Sequence, residues 1–210
     1  MKCLDLSKTI KTCSKNGHSL IDDAEHLLDF ERNRSAYALA LLAQEEFGKC
    51  FILKLVNSGA LKWTAEIHRS LTHHVSKQLM VIVLEFLNPN DADFEAGIKD
   101  KTLFIRPKKV SDALNIYVHE ILNRWESENW WWSEKPEYDK SAKLVFKKRV
   151  EKLKHDALYV NVSKNGTVID STADFKKENV EREIEKAKRC GQFMDGGDTD
   201  FRYQEIVEIL

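Results

Sequence analysis

The chain has 210 residues, of which 42% are hydrophobic and 32% charged, a composition typical of a soluble globular protein rather than a disordered one. The formal net charge of −1 gives no global attraction to nucleic acid or to an anionic membrane, so any such attraction must come from a local patch. Only three prolines and eight glycines occur, which favours long helices over a many-turned β fold.

The N-terminal segment, MKCLDLSKTIKTCSK, lacks the apolar core of a signal peptide, and no run of about 18 apolar residues could span a membrane. The four cysteines show neither CxxC spacing nor clustering; they are Cys3, Cys13, Cys50 and Cys190. Such cysteines are typical of reduced thiols in the cytoplasm, and they make a zinc site improbable. We therefore expect a cytoplasmic protein that does not enter a membrane.

Apolar residues recur at helical spacing in the N-terminal half and predict three helices. These helices cover residues 18–30, 34–57 and 62–87. The segment Asn57-Ser58-Gly59 ends the second helix, and Asn88-Pro89-Asn90-Asp91 ends the third. Residues 91–106 show no such periodicity and are expected to be irregular.

The C-terminal half predicts two more bundle helices and then a change of period. The helices cover residues 107–132 and 137–156, and LYVNVSKNGTVID reads as a β-hairpin with its turn at Asn165-Gly166. A charged amphipathic helix follows over 174–189, and RYQEIVEIL ends the chain. The predicted fold is an all-α, up-and-down helical bundle over residues 1–165, with a small hairpin and a C-terminal helical extension, 166–210, packed on it.

Two carboxylates and a lysine interrupt the second predicted helix, which is otherwise the most apolar segment of the chain. Glu45 follows Leu41 by four residues and falls at or near the buried face, and Lys49, four residues later, can pair with it. Burying such a pair costs more than it gains unless further hydrogen bonds support it. Gly48 indicates close approach of another helix or a ligand, because a glycine there costs roughly 1 kcal/mol against alanine. Spacing alone equally allows Glu46 and Lys49 to lie at the solvent boundary.

The third predicted helix carries a histidine beside its apolar stripe. His74 follows Leu71 by three residues, and Lys77 lies one turn later on the same side. A lone histidine in this position is more often a hydrogen-bonded residue at the core edge than a catalyst, but a nearby carboxylate such as Glu45 would make it an acid–base group. Arg69 precedes His74 by five residues and gives an R-x4-H spacing.

The segment KLVFKKRVEKLKHDALYV, residues 143–160, is the one concentrated basic stretch of the chain. Its cations form either a solvated helix face or an RNA-binding surface, in which the candidate residues are Lys147, Lys148, Lys152 and Lys154. Arg149 and His155 give an R-x5-H spacing. Such a pair can cleave RNA without a metal, because the histidine moves protons at the 2′-hydroxyl and the arginine stabilises charge on the phosphorane. The spacing is a weak motif, and it occurs twice here.

Three consecutive tryptophans, Trp130-Trp131-Trp132, span about 200° of a helix and cannot share one narrow face. At least one is expected to contact a folded-back segment or a dimer interface, with base stacking as the less favoured alternative. A dinuclear metal site is disfavoured, because such a site needs Glu-x-x-His pairs and here Glu45 is followed by Gly48 at that spacing. We expect no metal and no other cofactor.

Three motifs, and the order in which they follow one another along the chain, resemble those of the AbiV-type abortive-infection proteins, whose core is a helical HEPN-like domain. ALALLAQEEFGKCFIL is similar to the family's Ala/Leu-rich helix ending in Glu-Glu-x-Gly-Lys. His74-Val75-Ser76-Lys77 is similar to its His-x-x-Lys, and Leu158-Tyr159-Val160-Asn161 to its Leu-Tyr-Val-Asp. Asn161 departs from the family's usual aspartate, which removes a charge beside the hairpin.

The resemblance implies a cytoplasmic prokaryotic defence protein that stops growth or translation during phage infection. HEPN domains are commonly dimeric ribonucleases that use an R-x(4–6)-H pair, so we expect a homodimer that cleaves or binds RNA without a metal. Arg149 and His155 are the preferred catalytic pair, and Arg69 and His74 are the alternative pair.

We also expect a polar cluster, centred between the second and third predicted helices, that positions the active site or defines the fold; its members are Glu45, Glu46, Lys49, His74, Lys77 and Tyr159. A phage-encoded activator protein is a further expected partner. The alternative function is that of a non-enzymatic protein that binds a phage or host factor and blocks translation by occupancy.

Overall fold

The computed structural model describes residues 6–102, 105–122, 137–169, 174–196 and 201–209. Its helices are α1 Ser7–Asp29, α2 Asn33–Asn57, α3 Ala65–Ser70, α4 His74–Leu87, α5 Asp91–Lys99, α6 Lys108–Asn115, α7 Lys140–Phe146, α8 Arg149–Leu158, α9 Lys177–Gly196 and α10 Phe201–Ile209. A π-helical segment, Ile116–Ile121, continues α6. The prediction of an all-α bundle is confirmed.

The two strands in the described ranges form the predicted hairpin. β1 (Asn161–Val162) pairs antiparallel with β2 (Val168–Ile169), with Asn161 opposite Ile169. The turn contains Gly166 with φ of 80°, a conformation in which glycine is strongly favoured.

α2 is the central helix of the bundle and packs against α1, α4, α8 and α9. Its alanines let neighbouring helices approach, and Phe47, Phe51 and Ile52 fill the space between them with no exposed surface. Because partners surround α2, its apolar residues are not confined to one stripe. A charged side chain in the middle of this helix is therefore buried, which makes Glu45 the residue to explain.

The predicted third helix is wrong in one respect, because residues 62–87 form two helices rather than one. α3 ends at Ser70, and α4 begins at His74 after the extended residue His73. The hydroxyl of Ser70 donates to the carbonyl of Ile67, and that of Thr72 to the carbonyl of Arg69. These hydroxyls compete with the backbone N–H groups that would continue the helix.

The predicted fifth helix, 137–156, is likewise divided, into α7 and α8. Lys148 has φ of 59°, in the left-handed region, and interrupts the chain between them. The prediction that 91–106 is irregular is also wrong, because α5 occupies Asp91–Lys99. The side chain of Asn90 accepts a hydrogen bond from the Asp93 N–H and caps this short helix.

The remaining predicted helices are present, but their ends differ from the predicted ones. α1 begins at Ser7, eleven residues before the predicted start at 18, and the predicted helix 107–132 is seen as α6 and its π-helical continuation. Residues 123–136 lie outside the described residues, and with them the three tryptophans. No helix in the described ranges combines the length and hydrophobicity needed to cross a bilayer.

The helix that follows the hairpin contributes to the same core as the helices before it. α9 packs against α1, α2 and α4 and buries Val180, Ile184 and Ala187. The side chain of Gln44 on α2 donates to the Glu183 carbonyl on α9 at 3.0 Å. The division of the chain at residue 165 remains a prediction.

Candidate functional site

Glu45 is a buried carboxylate with four polar partners, and its side chain is 2% exposed. Nδ1 of His74 lies 2.6 Å from Oε2, and Nζ of Lys77 lies 2.9 Å from the same oxygen. Nζ of Lys154 donates to Oε1 at 2.8 Å, and Nε2 of Gln78 donates to it at 3.0 Å. We call this group, together with Glu151, the Glu45 cluster; its members are Glu45, His74, Lys77, Gln78, Glu151 and Lys154.

Three helices supply the Glu45 cluster, and their packing is set by small and regularly spaced residues. His74, Lys77 and Gln78 occupy the first turns of α4, so they lie on one side of that helix. Gly48, less than one turn after Glu45 on α2, packs against the backbone carbonyl of Lys77. A side chain at position 48 would overlap that carbonyl and separate α2 from α4, so the glycine permits the contact predicted from the sequence.

The third helix, α8, closes the Glu45 cluster from the other side. Lys154 is 6% exposed, and its ammonium group lies 3.1 Å from Oε2 of Glu151, one turn earlier on the same helix. Oε2 of Glu151 also lies 3.5 Å from Nδ1 of His74. Two carboxylates face two ammonium groups, so the cluster is electrically balanced before His74 takes up a proton.

The cluster keeps Glu45 ionised in spite of its burial. Burial acts to raise the pKa of Glu45, but the nearby charge of Lys77 and the hydrogen bonds from Lys154 and His74 outweigh it, and the pKa lies below its ordinary value. Removing any one cation would leave a buried negative charge with weaker compensation, so we regard the cluster as one unit.

His74 is the most exposed member of the Glu45 cluster, with 43% of its side chain exposed against 31% for Glu151. Its Nδ1 is held by Glu45, and in the described parts of the chain no residue hydrogen bonds to Nε2. A buried carboxylate that fixes an imidazole through one nitrogen leaves the other nitrogen to exchange a proton with a ligand. The arrangement is suited to acid–base chemistry.

A cleft of about 420 Å³ lies at the turn between α3 and α4, where His73, the residue before His74, lines it. Its walls include Arg69, His73 and, from α7, Phe146; the remaining lining residues are Glu66, Ser70, Thr72, Glu120 and Ile121. Burial, followed by the charge of Lys148, lowers the pKa of His73, so this imidazole is uncharged at neutral pH. The lining of the cleft therefore combines a cation, a neutral imidazole and an exposed aromatic ring with two carboxylates.

The structure brings together half of the predicted polar cluster. Glu45, His74 and Lys77 meet as expected, but Lys49 pairs with Glu46 at 2.7 Å and not with Glu45. Lys49 and Glu46 lie three residues apart on a side of α2 that faces α1, as a contact between Lys49 and Cys13 shows. Tyr159 is exposed, so it does not belong to the Glu45 cluster.

The two candidate catalytic pairs lie in different surroundings. Arg149 and His155 are both exposed on α8, about 9 Å apart along its axis, and no hydrogen bond joins them in the described ranges. The ring of His155 lies 4.6 Å from that of Tyr159. In the alternative pair, Arg69 lies in the last turn of α3 and lines the cleft, and His74 begins α4 in the Glu45 cluster. The alternative pair has the oriented histidine, and the preferred pair does not.

The predicted RNA-binding lysines divide into two groups. Lys147, Lys148 and Lys152 are exposed, whereas Lys154 is buried in the Glu45 cluster. The sequence carried a signal for this burial: position 154 lies four residues after Val150 and three before Ala157, on the apolar side of α8. The sequence analysis missed three residues of the site, Glu151, Gln78 and His73. Polar residues are common near the ends of helices, so nothing in the sequence distinguishes these three.

Glu45, His74 and Glu151 have the donor set of a small metal site, since one ligand atom of each lies within 4.8 Å of the other two. The ammonium of Lys154 contacts all three of these side chains, including Nδ1 of His74 at 3.0 Å. A divalent ion bound by the three would lie against that ammonium group. The ammonium group of Lys154 therefore acts as a built-in cation, because it occupies the position in which a metal ion would bind.

The comparisons with known proteins identify one family. A family model described as AbiV (HEPN_AbiV) matches residues 5–192, which include every member of the Glu45 cluster and most of α9. Neither a curated protein nor a solved structure gives a significant match.

Proposed function

Since the chain belongs to the AbiV family of HEPN proteins, which indicates a role in defence by abortive infection, we propose that it arrests growth or translation by metal-independent cleavage of RNA. The observation that carries the proposal is the pairing of solvent-reaching His74 with buried Glu45 at 2.6 Å. A fixed imidazole of this kind does the proton transfer that cleavage of RNA through its 2′-hydroxyl requires.

In the proposed reaction His74 accepts the 2′-hydroxyl proton through Nε2. The 2′-oxygen forms a bond to the adjacent phosphorus, the bond to the 5′-oxygen breaks, and that oxygen takes up a proton as it leaves. Arg69, whose side chain is 71% exposed, stabilises the charge on the phosphorane. Its weak contact with Glu66, at 3.7 Å, leaves it able to turn towards a phosphate.

The surface around the cleft supports an RNA ligand. The segment that joins α7 to α8 and the first turn of α8 carry exposed cations; they are Lys147, Lys148, Arg149 and Lys152. Phe146, the residue directly before this basic stretch, lines the cleft, so the basic stretch begins beside it. Phosphate binding by these cations would make the affinity fall steeply with salt. Phe146 offers a ring on which a base can stack.

The proposal is tested with total RNA and pure protein in EDTA. We expect wild type and His155→Ala to cleave, and His74→Gln and Arg69→Ala to leave the RNA intact. His74→Gln is the sharp variant, because glutamine can still donate to Glu45 but cannot transfer a proton. Intact RNA with wild-type protein would overturn the proposal, and loss of cleavage only in Arg149→Ala and His155→Ala would move the site to that pair.

A second candidate function, binding of a protein partner, is favoured by an exposed apolar surface at the hairpin. This hairpin patch comprises Leu158, Tyr159, Val160, Val162, Val168 and Ile169, all of them exposed. Exposed apolar side chains grouped in one short part of the chain are a feature of interaction sites in soluble proteins. The patch suits a second copy of the chain or a phage-encoded activator protein.

Light scattering at micromolar concentration tests the homodimer. Val160→Asp with Val168→Asp should convert a dimer to a monomer if the hairpin patch is the interface, and a monomeric wild type would exclude a homodimer there. Growth arrest that persists in His74→Gln but fails in the hairpin variant would favour action by occupancy over cleavage.

A further inference from the structure

Two of the cysteines meet across the contact between α1 and α2. Cys13 lies in α1 and Cys50 in α2, and both are free thiols within hydrogen-bonding reach of each other. Sγ of Cys50 also lies 3.6 Å from the carbonyl oxygen of Ile10, one turn before Cys13, which places Cys50 against this part of α1. The two residues are 37 positions apart in the sequence, so only the packing of the helices brings them together.

The surroundings of the two thiols differ in the way that a reactive pair requires. Cys13 is partly exposed and has Lys49 beside it, whereas Cys50 is fully buried. The hydrogen bond from Cys50, aided by the charge of Lys49 and opposed by partial burial and Glu46, lowers the pKa of Cys13 to about 7. The hydrogen bond to Cys13 and burial raise the pKa of Cys50. At neutral pH the accessible thiol is therefore partly ionised, whereas the buried thiol keeps its proton.

We propose that Cys13 and Cys50 form a modification site for hydroperoxides, in which Cys13 is the attacking thiol and Cys50 the resolving thiol. The Cys13 thiolate attacks one oxygen of the peroxide: an S–O bond forms, the O–O bond breaks, and the departing oxygen leaves as an alcohol or water after taking a proton. The sulfur is oxidised by two electrons and the peroxide is reduced.

The second step forms a disulfide. The Cys50 thiol loses its proton, and its sulfur attacks the Cys13 sulfenic sulfur; the S–S bond forms, the S–O bond breaks, and water leaves. The balance is two thiols and one hydroperoxide giving one disulfide, one water and one alcohol or second water. The disulfide links α1 to α2 at a position five residues after Glu45. Oxidation therefore adds a covalent constraint to the helix that carries Glu45.

The test uses the reduced full-length protein, hydrogen peroxide at pH 7 and peptide mapping without reductant. We expect a Cys13–Cys50 linked peptide, with Cys190 recovered as a thiol. Cys190 is the internal control, because burial raises its pKa to about 12. Cys13 and Cys50 both recovered as free thiols after a treatment that oxidises Cys3 would overturn the proposal.

Two variants separate the role of Cys13 from that of Cys50, so the test does not depend on a single variant folding correctly. Cys13→Ser should leave Cys50 reduced and slow the peroxide-driven loss of thiol by about tenfold, whereas Cys190→Ser should not change that rate. In Cys50→Ala, Cys13 should stop at the sulfenic acid and be trapped by dimedone. Alkylation of Cys13 in wild type should rise with a midpoint at pH about 7. A midpoint at the ordinary thiol value, or a disulfide that still forms in Cys13→Ser through another residue, would contradict the assignment.

Discussion

Gly48 on α2 packs directly against the backbone carbonyl of Lys77 on α4, and a Cβ at position 48 would overlap that carbonyl oxygen. The contact sets the distance between the two helices that supply Glu45 and His74. Backbone atoms cannot rotate away as a side chain can, so the site depends on the absence of a single carbon atom.

Gly48→Ala should therefore destabilise the fold, although alanine favours helix by roughly 1 kcal/mol over glycine. We expect a loss of about 2 kcal/mol in the free energy of unfolding, measured with urea, because the overlap forces the helices apart. Gly196→Ala is the matched control: Gly196 ends α9 and has no atom near the added Cβ, so its unfolding free energy should stay equal or rise. Equal effects of the two substitutions would contradict the close contact.

Glu45→Gln should cost about 3 kcal/mol of stability at neutral pH, because Lys77 and Lys154 would keep buried charges without their shared partner. The pKa of Glu45 is lower in the folded chain than the value of about 4.3 in an unfolded one, so the unfolded chain binds more protons in acid. The stabilisation is present above pH about 4.3 and is lost as the pH falls through the folded pKa.

Urea unfolding of wild type and Glu45→Gln between pH 6 and pH 3 checks this prediction. The difference in stability between the two proteins should shrink as the pH falls. A difference that stays constant over this range would show that Glu45 does not carry a lowered pKa.

Lys154→Ala should convert the Glu45 cluster into a site for a divalent cation. Removal of the ammonium leaves Glu45, His74 and Glu151, whose ligand atoms lie within 4.8 Å of one another. Zn²⁺ should then raise the thermal midpoint of the variant by about 3 °C, which corresponds to about 1 kcal/mol for a chain of this size. Lys152→Ala, an exposed lysine on the same helix, is the control and should show no zinc effect beyond that of wild type. A zinc shift as large in wild type would contradict the role of Lys154 as the built-in cation.

Asn161→Asp should destabilise the hairpin end of the bundle. Nδ2 of Asn161 donates to Oδ1 of the buried Asp156 at 2.7 Å, so an aspartate at position 161 would set two carboxylates against each other. We expect a loss of about 1–2 kcal/mol at pH 7, which recovers as the pH falls and one carboxyl group is protonated. Asn165→Asp is the control, because the Oδ1 of Asn165 only accepts hydrogen bonds, from Ser163 and Thr167, and a carboxylate can do the same. Equal losses at the two positions would contradict the role of Asn161 as a donor.

Helical periodicity was sufficient to predict the bundle, because apolar spacing reports directly which side of a helix is buried. It placed α2 within one residue at its N-terminus and predicted the hairpin turn at Asn165-Gly166. It failed at α3–α4 and at Lys148, where side-chain hydroxyls and one left-handed residue break helices whose apolar pattern continues. Periodicity records burial and does not record local competition for backbone hydrogen bonds.

Apolar spacing was enough to predict that Glu45 and His74 lie at or beside neighbouring apolar stripes, and the glycine at position 48 predicted close approach there. The packing of the helices was needed to show that Lys154, 109 residues after Glu45, completes the Glu45 cluster and that Cys13 meets Cys50. The charge of Lys154 and its place in a basic stretch would both be compatible with exposure to solvent. The spacing of Val150 and Ala157 indicates that position 154 faces the core, but its contact with Glu45 follows from the packing of α8 on α2, and local spacing does not record contacts between distant segments.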